Sequence, residues 1–346
     1  MSNRRHTVLF TMLTAALMGS SSMAEEKELK EVGTTRVVVA ALKDDRVAEE
    51  AATSLVQVSS QTIERIGASD LASALKYESG IDVDMSSSGR LNDVRIRGVG
   101  GDRVMVAIDG APLPQSYSFG SYLTVGRGYF DVDAMKSIDV IKGPVSMLYG
   151  SSALAGGIFM QTKDPADFIK AGNRYGFEAK LGYNTVDRDR LMTLTAAAHA
   201  TDDLSGFVRA TFRKHYETEN YNGKAFKEHH LGSQRVNPDP SEANVKNILT
   251  KWVFEPNAEQ KIALSYEYFH DNSWASLLSR KTSSIMGVIT DLGTHSGTKS
   301  TRQQVNIRHD FNVSTALFDK GHWMAYYQNT RARQLQFEER ESLRKV

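Results

Sequence analysis

Phenols and imidazoles are the side chains of this chain best suited to hold a ligand. Tyr117 and Tyr122 fall within 113–127 (LPQSYSFGSYLTVGR), and His215, His229, His230 and His295 fall in long polar loops further on. Imidazole is a common metal ligand, and tyrosinate can ligate ferric iron. Each also has a plainer reading, a tyrosine ring packed against its surroundings or a solvated surface histidine. These residues specify no particular metal. Support for covalent chemistry is missing. Cysteine is absent, so a thiol nucleophile, a disulfide and a zinc–thiolate site are all excluded. The sequence has no Gly-x-Ser-x-Gly turn, no His-Glu-x-x-His helix and no glycine loop leading into a helix. Gly98-Val99-Gly100-Gly101 has strands on both sides, and Asp82 and Asp84 share one strand face beside a helix end. Binding without a catalytic cofactor is therefore the expectation, and a soluble secreted enzyme the weakest alternative.

The elements that must position these groups begin with an export signal. Arg4-Arg5 precede an apolar run over 8–18, and Ser22-Met23-Ala24 supply small residues for cleavage after Ala24. The run is too short to span a bilayer, which takes about 20 apolar residues. Lys and Arg number 42 against 41 acids, a net charge of +1 over 346 residues, which gives no reason to expect a nucleic-acid partner. A mean hydropathy of −0.38 is too polar for a helical membrane protein but leaves a β-barrel open.

Residues 25–46 read as a polar linker carrying one β-prone run, Thr35-Arg36-Val37-Val38-Val39-Ala40-Ala41. Such a run can add a strand to another protein's sheet edge, or serve as an edge strand of the domain that follows. Residues 47–165 read as a compact mixed α/β domain. Ser60 and Ser69 are the expected N-caps of two short helices, the second over 70–77 with Leu71, Ala74 and Leu75 on one face. Gly80 ends it and a strand begins at Ile81. Val94/Ile96 and Val104/Val106/Ile108 alternate as half-buried strands do, Asp109-Gly110 marks a tight turn, and 138–162 reads as strand, Gly-Pro break, turn and strand. Arg95, Arg97, Arg103 and Lys142 are matched in number by Asp102, Asp109, Asp131 and Asp139, either as buried pairs or as a solvated surface.

Past Gly172 helix signals vanish. Phe177, Ala179, Leu181 and Tyr183 alternate with Glu178, Lys180, Gly182 and Asn184, and Ile262, Leu264, Tyr266 and Tyr268 with Lys261, Ala263, Ser265 and Glu267. Ile248, Thr250, Trp252 and Phe254 share a face. These dyads suit barrel strands with one lipid face and one wet face, with Tyr266, Tyr268, Trp252, Trp323 and Tyr327 placed as an interfacial aromatic girdle. Connections at 186–190, 201–203 and 255–259 are short, while 217–245 and 271–301 are long and polar, the alternation of periplasmic turns and outer loops.

Taken together these motifs resemble the TonB-dependent outer-membrane receptors. Residues 35–41 (TRVVVAA) resemble the TonB box. Residues 58–83 resemble the first helical part of the plug, VRIRG (94–98), VAIDG (106–110) and IDVIKGPVSMLYG (138–150) its internal signatures, and 156–164 its closing strand. Residues 113–127 and TKDPADF (162–168) are similar to the haem/haemoglobin receptor branch. The resemblance implies an α/β plug followed by strands of a transmembrane antiparallel β-barrel in the outer membrane. It implies TonB and its inner-membrane energising complex as partners, with haem, free or from a carrier protein, as transported ligand. A ferric-siderophore or vitamin receptor of the same architecture is the alternative. Receptors of that branch often carry a histidine on the plug apex, and 47–165 has none; Tyr117 and Tyr122 stand there instead. About seven strands are countable over 166–346, and 334–346 reads as a charge-dense tail without strand signature. Plugged transporters close with 22 strands, so the expectation is an N-terminal fragment or a disrupted product.

Overall fold

The structure, a computed structural model, describes residues 55–86, 89–119, 123–145, 153–218, 231–281, 284–285, 289–312 and 320–342. The expected signal segment, the 35–41 run, Tyr122, His229 and His230 lie outside the described residues.

The first half opens with β1 (Leu55–Ser59), α1 (Ser60–Ile66) and α2 (Leu71–Ala74). Ser59, not Ser60, caps α1: its hydroxyl accepts from the amide of Thr62 at 3.3 Å, and Gly67 closes the helix at φ 62°. Asp70, not Ser69, caps α2, its carboxylate accepting from the Ser73 amide at 2.7 Å. The cap must reach the amide three residues on, and in both cases that geometry picks the neighbour of the expected serine. α2 is also a single turn, shorter than 70–77, though Leu71, Ala74 and Leu75 are all buried as expected.

β2 (Ile81–Met85) and β3 (Leu91–Ile96) form a separate hairpin, joined by β4 (Val104–Ile108), β5 (Ala111–Pro112), β6 (Tyr117–Phe119), β7 (Leu123–Val125), β8 (Met135–Ile141) and β9 (Gly156–Thr162). The main sheet runs β1-β8-β9-β4-β5, with β4 parallel to β9 and the other neighbours antiparallel. All five β4 residues are buried, where alternation predicts a half-buried strand. Val104, Val106 and Ile108 join Ile63, Leu71 and Ile138 in the main core, while Met105 and Ala107 pack with Ile141 and Phe159 on the opposite face. A strand with helices on one face and a second small core on the other has no wet side. Asp109 (φ 47°) and Gly110 (φ 83°) turn β4 into β5 with the double positive φ of a type I′ turn.

From 175 onward the chain is antiparallel sheet: β10 (Tyr175–Asn184), β11 (Asp189–His199), β12 (Leu204–Tyr216), β13 (Ser241–Asn257), β14 (Gln260–Ser276), the two-residue β15 (Ser284–Ile285), β16 (Ile289–Phe311) and β17 (Gly321–Ser342). The long strands pair in chain order, and β10 and β17 are the open edges. Burial along each strand is inverted relative to a water-soluble sheet. Phe177 is 82 % exposed and Leu181, Val208, Phe212, Ile248, Trp252 and Leu264 also face out, whereas Arg209, Thr211, Asn247, Lys251 and Glu267 are buried. The dyad reading holds for the strands it named, β10, β13 and β14. Trp252 and Trp323 stand near the short-turn end, but Tyr266 and Tyr327 meet mid-sheet across Val305, so the aromatics form a broad band and not a ring.

Two expectations fail. Residues 334–342 are not a tail: they continue β17, with Gln334 opposite Thr298 and Ser342 opposite Ile289. Its charge density hid it, although Leu335 and Phe337 alternate there and are exposed. For the same reason the long polar stretches are shorter as loops, since β14 continues to Ser276 and β16 starts at Ile289.

Gly156 opens β9 at φ 133°, and a Cβ there would lie 2.1 Å from the carbonyl oxygen of Ile141, whereas Gly172, at φ 84°, has open space around it. Gly172→Ala should cost about 1–2 kcal/mol, the left-handed penalty alone. Gly156→Ala should cost clearly more, read as a larger drop in denaturant midpoint.

Candidate functional site

The inward face of the sheet carries charge, and that charge is met by the α/β domain. Arg209 on β12 is 0 % exposed, and its partners come from both sides of the boundary. Nη1 donates to Glu178 on β10 at 2.9 Å and to Thr195 on β11 at 3.1 Å. Nη2 donates to the backbone oxygen of Asp133 at 3.1 Å and to its carboxylate. The same carboxylate takes Lys180 of β10 and, at 3.3 Å, the Thr193 hydroxyl. Asp133 sits in the single 3-10 turn Val132–Ala134 that leads into β8, capped by Asp131. Burial alone would push the Asp133 carboxyl up; Arg209 and Lys180 outweigh it and hold it below the usual range. One side chain of the domain thus ties three strands.

Two further clusters repeat the arrangement. Lys251 on β13 donates to the Thr162 carbonyl at 3.1 Å and to Asp164 at 3.2 Å, with Asp109 3.8 Å away. Asp109 itself accepts from the Thr162 amide and hydroxyl at 2.9 and 2.6 Å, which fixes the β4–β5 turn against the end of β9. Asn306 of β16 donates to the Asp109 carbonyl at 2.8 Å. Burial opposes the Asp164 charge, but Lys251 and Lys136 overcome it and lower its pKa from 3.8 to about 2. On β16, the fully buried Arg302 donates to the Tyr129 carbonyl at 2.8 Å and pairs with Glu267 of β14, which also accepts from Asn247 at 2.7 Å. Near the short-turn end the contact is apolar instead: Phe168 meets Phe207 at 5.0 Å, and Ala197, Phe207 and Leu249 join the domain's own core.

The ligand candidates are not brought together. Tyr117 is 55 % exposed on the β6–β7 hairpin. His215 is in β12, not in a loop, on the inward parity beside a cavity against the domain. His295 is in β16, also not in a loop, and stacks on the outward Trp274 at 5.5 Å, on the face turned away from the domain. Of the eight charges matched in composition, Asp109 and Asp131 join the boundary, Asp131 lying 3.9 Å from Arg213. Arg95 pairs with Asp82 in solvent at 2.8 Å, and Asp139 accepts from Gln57 within the domain. Arg209, Arg213, Lys251 and Arg302 escaped notice in the sequence. For Arg209, Arg213 and Lys251 the signal was present, a cation at the inward parity of a strand with apolar residues on its other face; around Arg302 the outward face carries Lys299, Thr301 and Gln303 and gave no such signal.

Residues 47–157 match the family profile described as the TonB-dependent receptor plug domain. The chain is 29 % identical over 219 residues to the hemoglobin-haptoglobin-binding protein A of Haemophilus influenzae, covering 61 % of this chain and 21 % of that one. It is 26 % identical over 272 residues to the hemoglobin-binding protein A of the same organism, covering 75 % and 27 %. In structure it is similar to the ferric yersiniabactin uptake receptor FyuA of Yersinia pestis, with TM-score 0.57, 11 % identity and coverage of 83 % and 50 %. The chain thus spans about a fifth to a quarter of the length of these curated relatives.

Removing one member of a buried pair strands the other, at about 3–5 kcal/mol. Arg209→Met should therefore destabilise the seating of the domain by about that much, seen as protease access to 55–168 at temperatures where the parent resists. Asp164, with its pKa lowered from 3.8 to about 2, adds stability that is complete above about pH 4 and lost as pH falls toward 2. Unfolding midpoints across that window should fall less steeply in Asp164→Asn than in the parent.

Proposed function

We propose that this chain, a TonB-dependent receptor by its plug domain and its lipid-facing strands, serves energised import of haem across the outer membrane. The observation that carries the reading is the inverted wall seated on a plug. Outward Phe177, Val208, Phe212, Ile248 and Leu264 are exposed to whatever surrounds the sheet, and lipid is the surrounding in which that is favourable. The plug stands on the other face, where the polar residues are. An export signal over 1–24, cleaved after Ala24, accords with this location.

The mechanism is mechanical and non-covalent. Outer loops and the plug apex take up a scarce solute, and the plug closes the lumen. Thr35–Ala41 pairs as an added strand with periplasmic TonB, whose inner-membrane complex draws on the proton gradient. The chain then leads through residues 42–54 into β1, five residues long, which among the described residues is an edge strand paired with β8 alone. Tension reaches the plug at an edge, where few backbone bonds must yield at once. Haem as solute is supported by the haemoglobin-binding names of the relatives and by residues 113–127 and 162–168. Tyr117 and Tyr122, with His215, His229, His230 and His295, are the candidate contacts to haem or its carrier.

Deleting 35–41 from the receptor should abolish uptake and leave surface binding intact; unchanged uptake refutes the coupling role. Haem titration should give a Soret shift that Tyr117→Phe, Tyr122→Phe or histidine changes alter. Absence of any shift assigns the solute to the siderophore class.

A further inference from the structure

Between the tip of the β2–β3 hairpin and the outer ends of β11, β12 and β14 lies a cavity of about 310 Å³. Its lining sets Asp70, Asp131, Asp187, Asp189 and Asp271 against Arg90, Arg213 and His215. The guanidiniums are already shared out. Arg213 donates to Asp189 at 2.8 Å and lies 3.9 Å from Asp131, and Arg90 stands 3.8 Å from Asp271. Acid remains in excess. Asp131 Oδ2, Asp189 Oδ1 and Asp271 Oδ1 are buried with no hydrogen-bond partner, on residues only 4, 5 and 2 % exposed. An ionised carboxylate left so is costly, so the cavity calls for donors and positive charge.

The three oxygens come from different elements: the turn before β8, the start of β11 and the outer part of β14. Among the described residues no three acidic or histidine side chains stand close enough to hold a metal ion. The missing donor must be larger than a single ion and present N–H groups in several directions. At roughly 30 Å³ per water the cavity has the room of about ten waters, enough for a cationic head and a short aliphatic stem.

We propose that this cavity binds an organic cation, an alkylguanidinium or alkylammonium group, which bridges Asp131 of the plug to Asp189 and Asp271 of the wall. Haem's own carboxylates have the wrong sign for this lining, so the cation is a ligand other than haem, although His215 borders its cavity. A bound cation joins plug and wall, so its occupancy stabilises the seated plug by mass action.

The test is thermal unfolding of the detergent-solubilised receptor with n-propylguanidinium or n-propylammonium, beside NaCl at equal ionic strength and beside CaCl₂. The expected result is a saturable rise in unfolding temperature with either organic cation. Asp189→Asn and Asp271→Asn should each weaken it about tenfold, while Asp82→Asn, on the exposed part of β2, leaves it unchanged. Should an asparagine variant fail to fold, carbodiimide labelling of the parent with glycine ethyl ester replaces it. There n-propylguanidinium should protect Asp131, Asp189 and Asp271 but not Asp82. No saturable shift, an equal shift in every variant or with NaCl, tighter binding of Ca²⁺ than of either cation, or unprotected carboxyls would each overturn the proposal.

Discussion

A guanidinium sealed from water must find its counter-charge within the protein, and Arg209 finds it in Asp133, on the other side of a domain boundary. That requirement orders the rest of the architecture. The outward face of β12 carries Val208 and Phe212, so the charge cannot turn outward without entering the apolar surroundings that suit those side chains. It must stay inward, where Glu178 of β10 meets part of it and Asp133 of the plug meets the rest. Lys251 takes both its carboxylate neighbours, Asp164 and Asp109, from the plug, whereas the charge of Arg302 is met by Glu267 within the wall and the plug adds the Tyr129 carbonyl. Wall and plug thus share buried charge across their boundary, most completely at Lys251.

Such a polar boundary fixes position more than it adds stability. Buried ion pairs contribute little net stability over an apolar contact of similar shape, because desolvation offsets much of the attraction. They do specify position sharply, since a misplaced partner leaves a charge unpaired. Under the proposed import mechanism, water could take over each released group one at a time. An apolar seam of the same extent would resist displacement as a whole. The apolar contact is confined to Phe168, Phe207 and their neighbours, close to the covalent connection into β10, where little movement is needed.

Much of the wall was legible in the sequence because alternation is a rule that a single strand can show alone. Ile262, Leu264, Tyr266 and Tyr268 mark one face of β14 with no knowledge of its neighbours. The plug's strands and its Asp109-Gly110 turn were legible for a similar local reason. The boundary was not. Asp133 and Arg209 are 76 positions apart, and nothing local says which of many acids meets which of many bases. Composition drew attention to Arg95, which pairs in solvent with Asp82. The outer part of β17 was hidden because Arg331, Arg333, Glu338, Glu339, Arg340 and Glu341 outnumber the alternating Leu335 and Phe337, and His215 and His295 were read as loop residues because the stretches around them are likewise polar. Both helix caps fell one residue from their expected serines, where hydroxyl or carboxylate reach, and not residue type, selects the cap.

The central claim is that one face of this sheet meets lipid and the other meets the plug. The natural chain has no cysteine, so single cysteines can be placed along the wall and labelled with a fluorophore, with quenching measured from lipid-borne quenchers in a reconstituted bilayer. Positions 208, 212, 248 and 264 should be strongly quenched and 211, 249, 265 and 273 shielded, a two-residue period running across neighbouring strands. Uniform quenching, or a pattern with the two sets exchanged, would contradict the account.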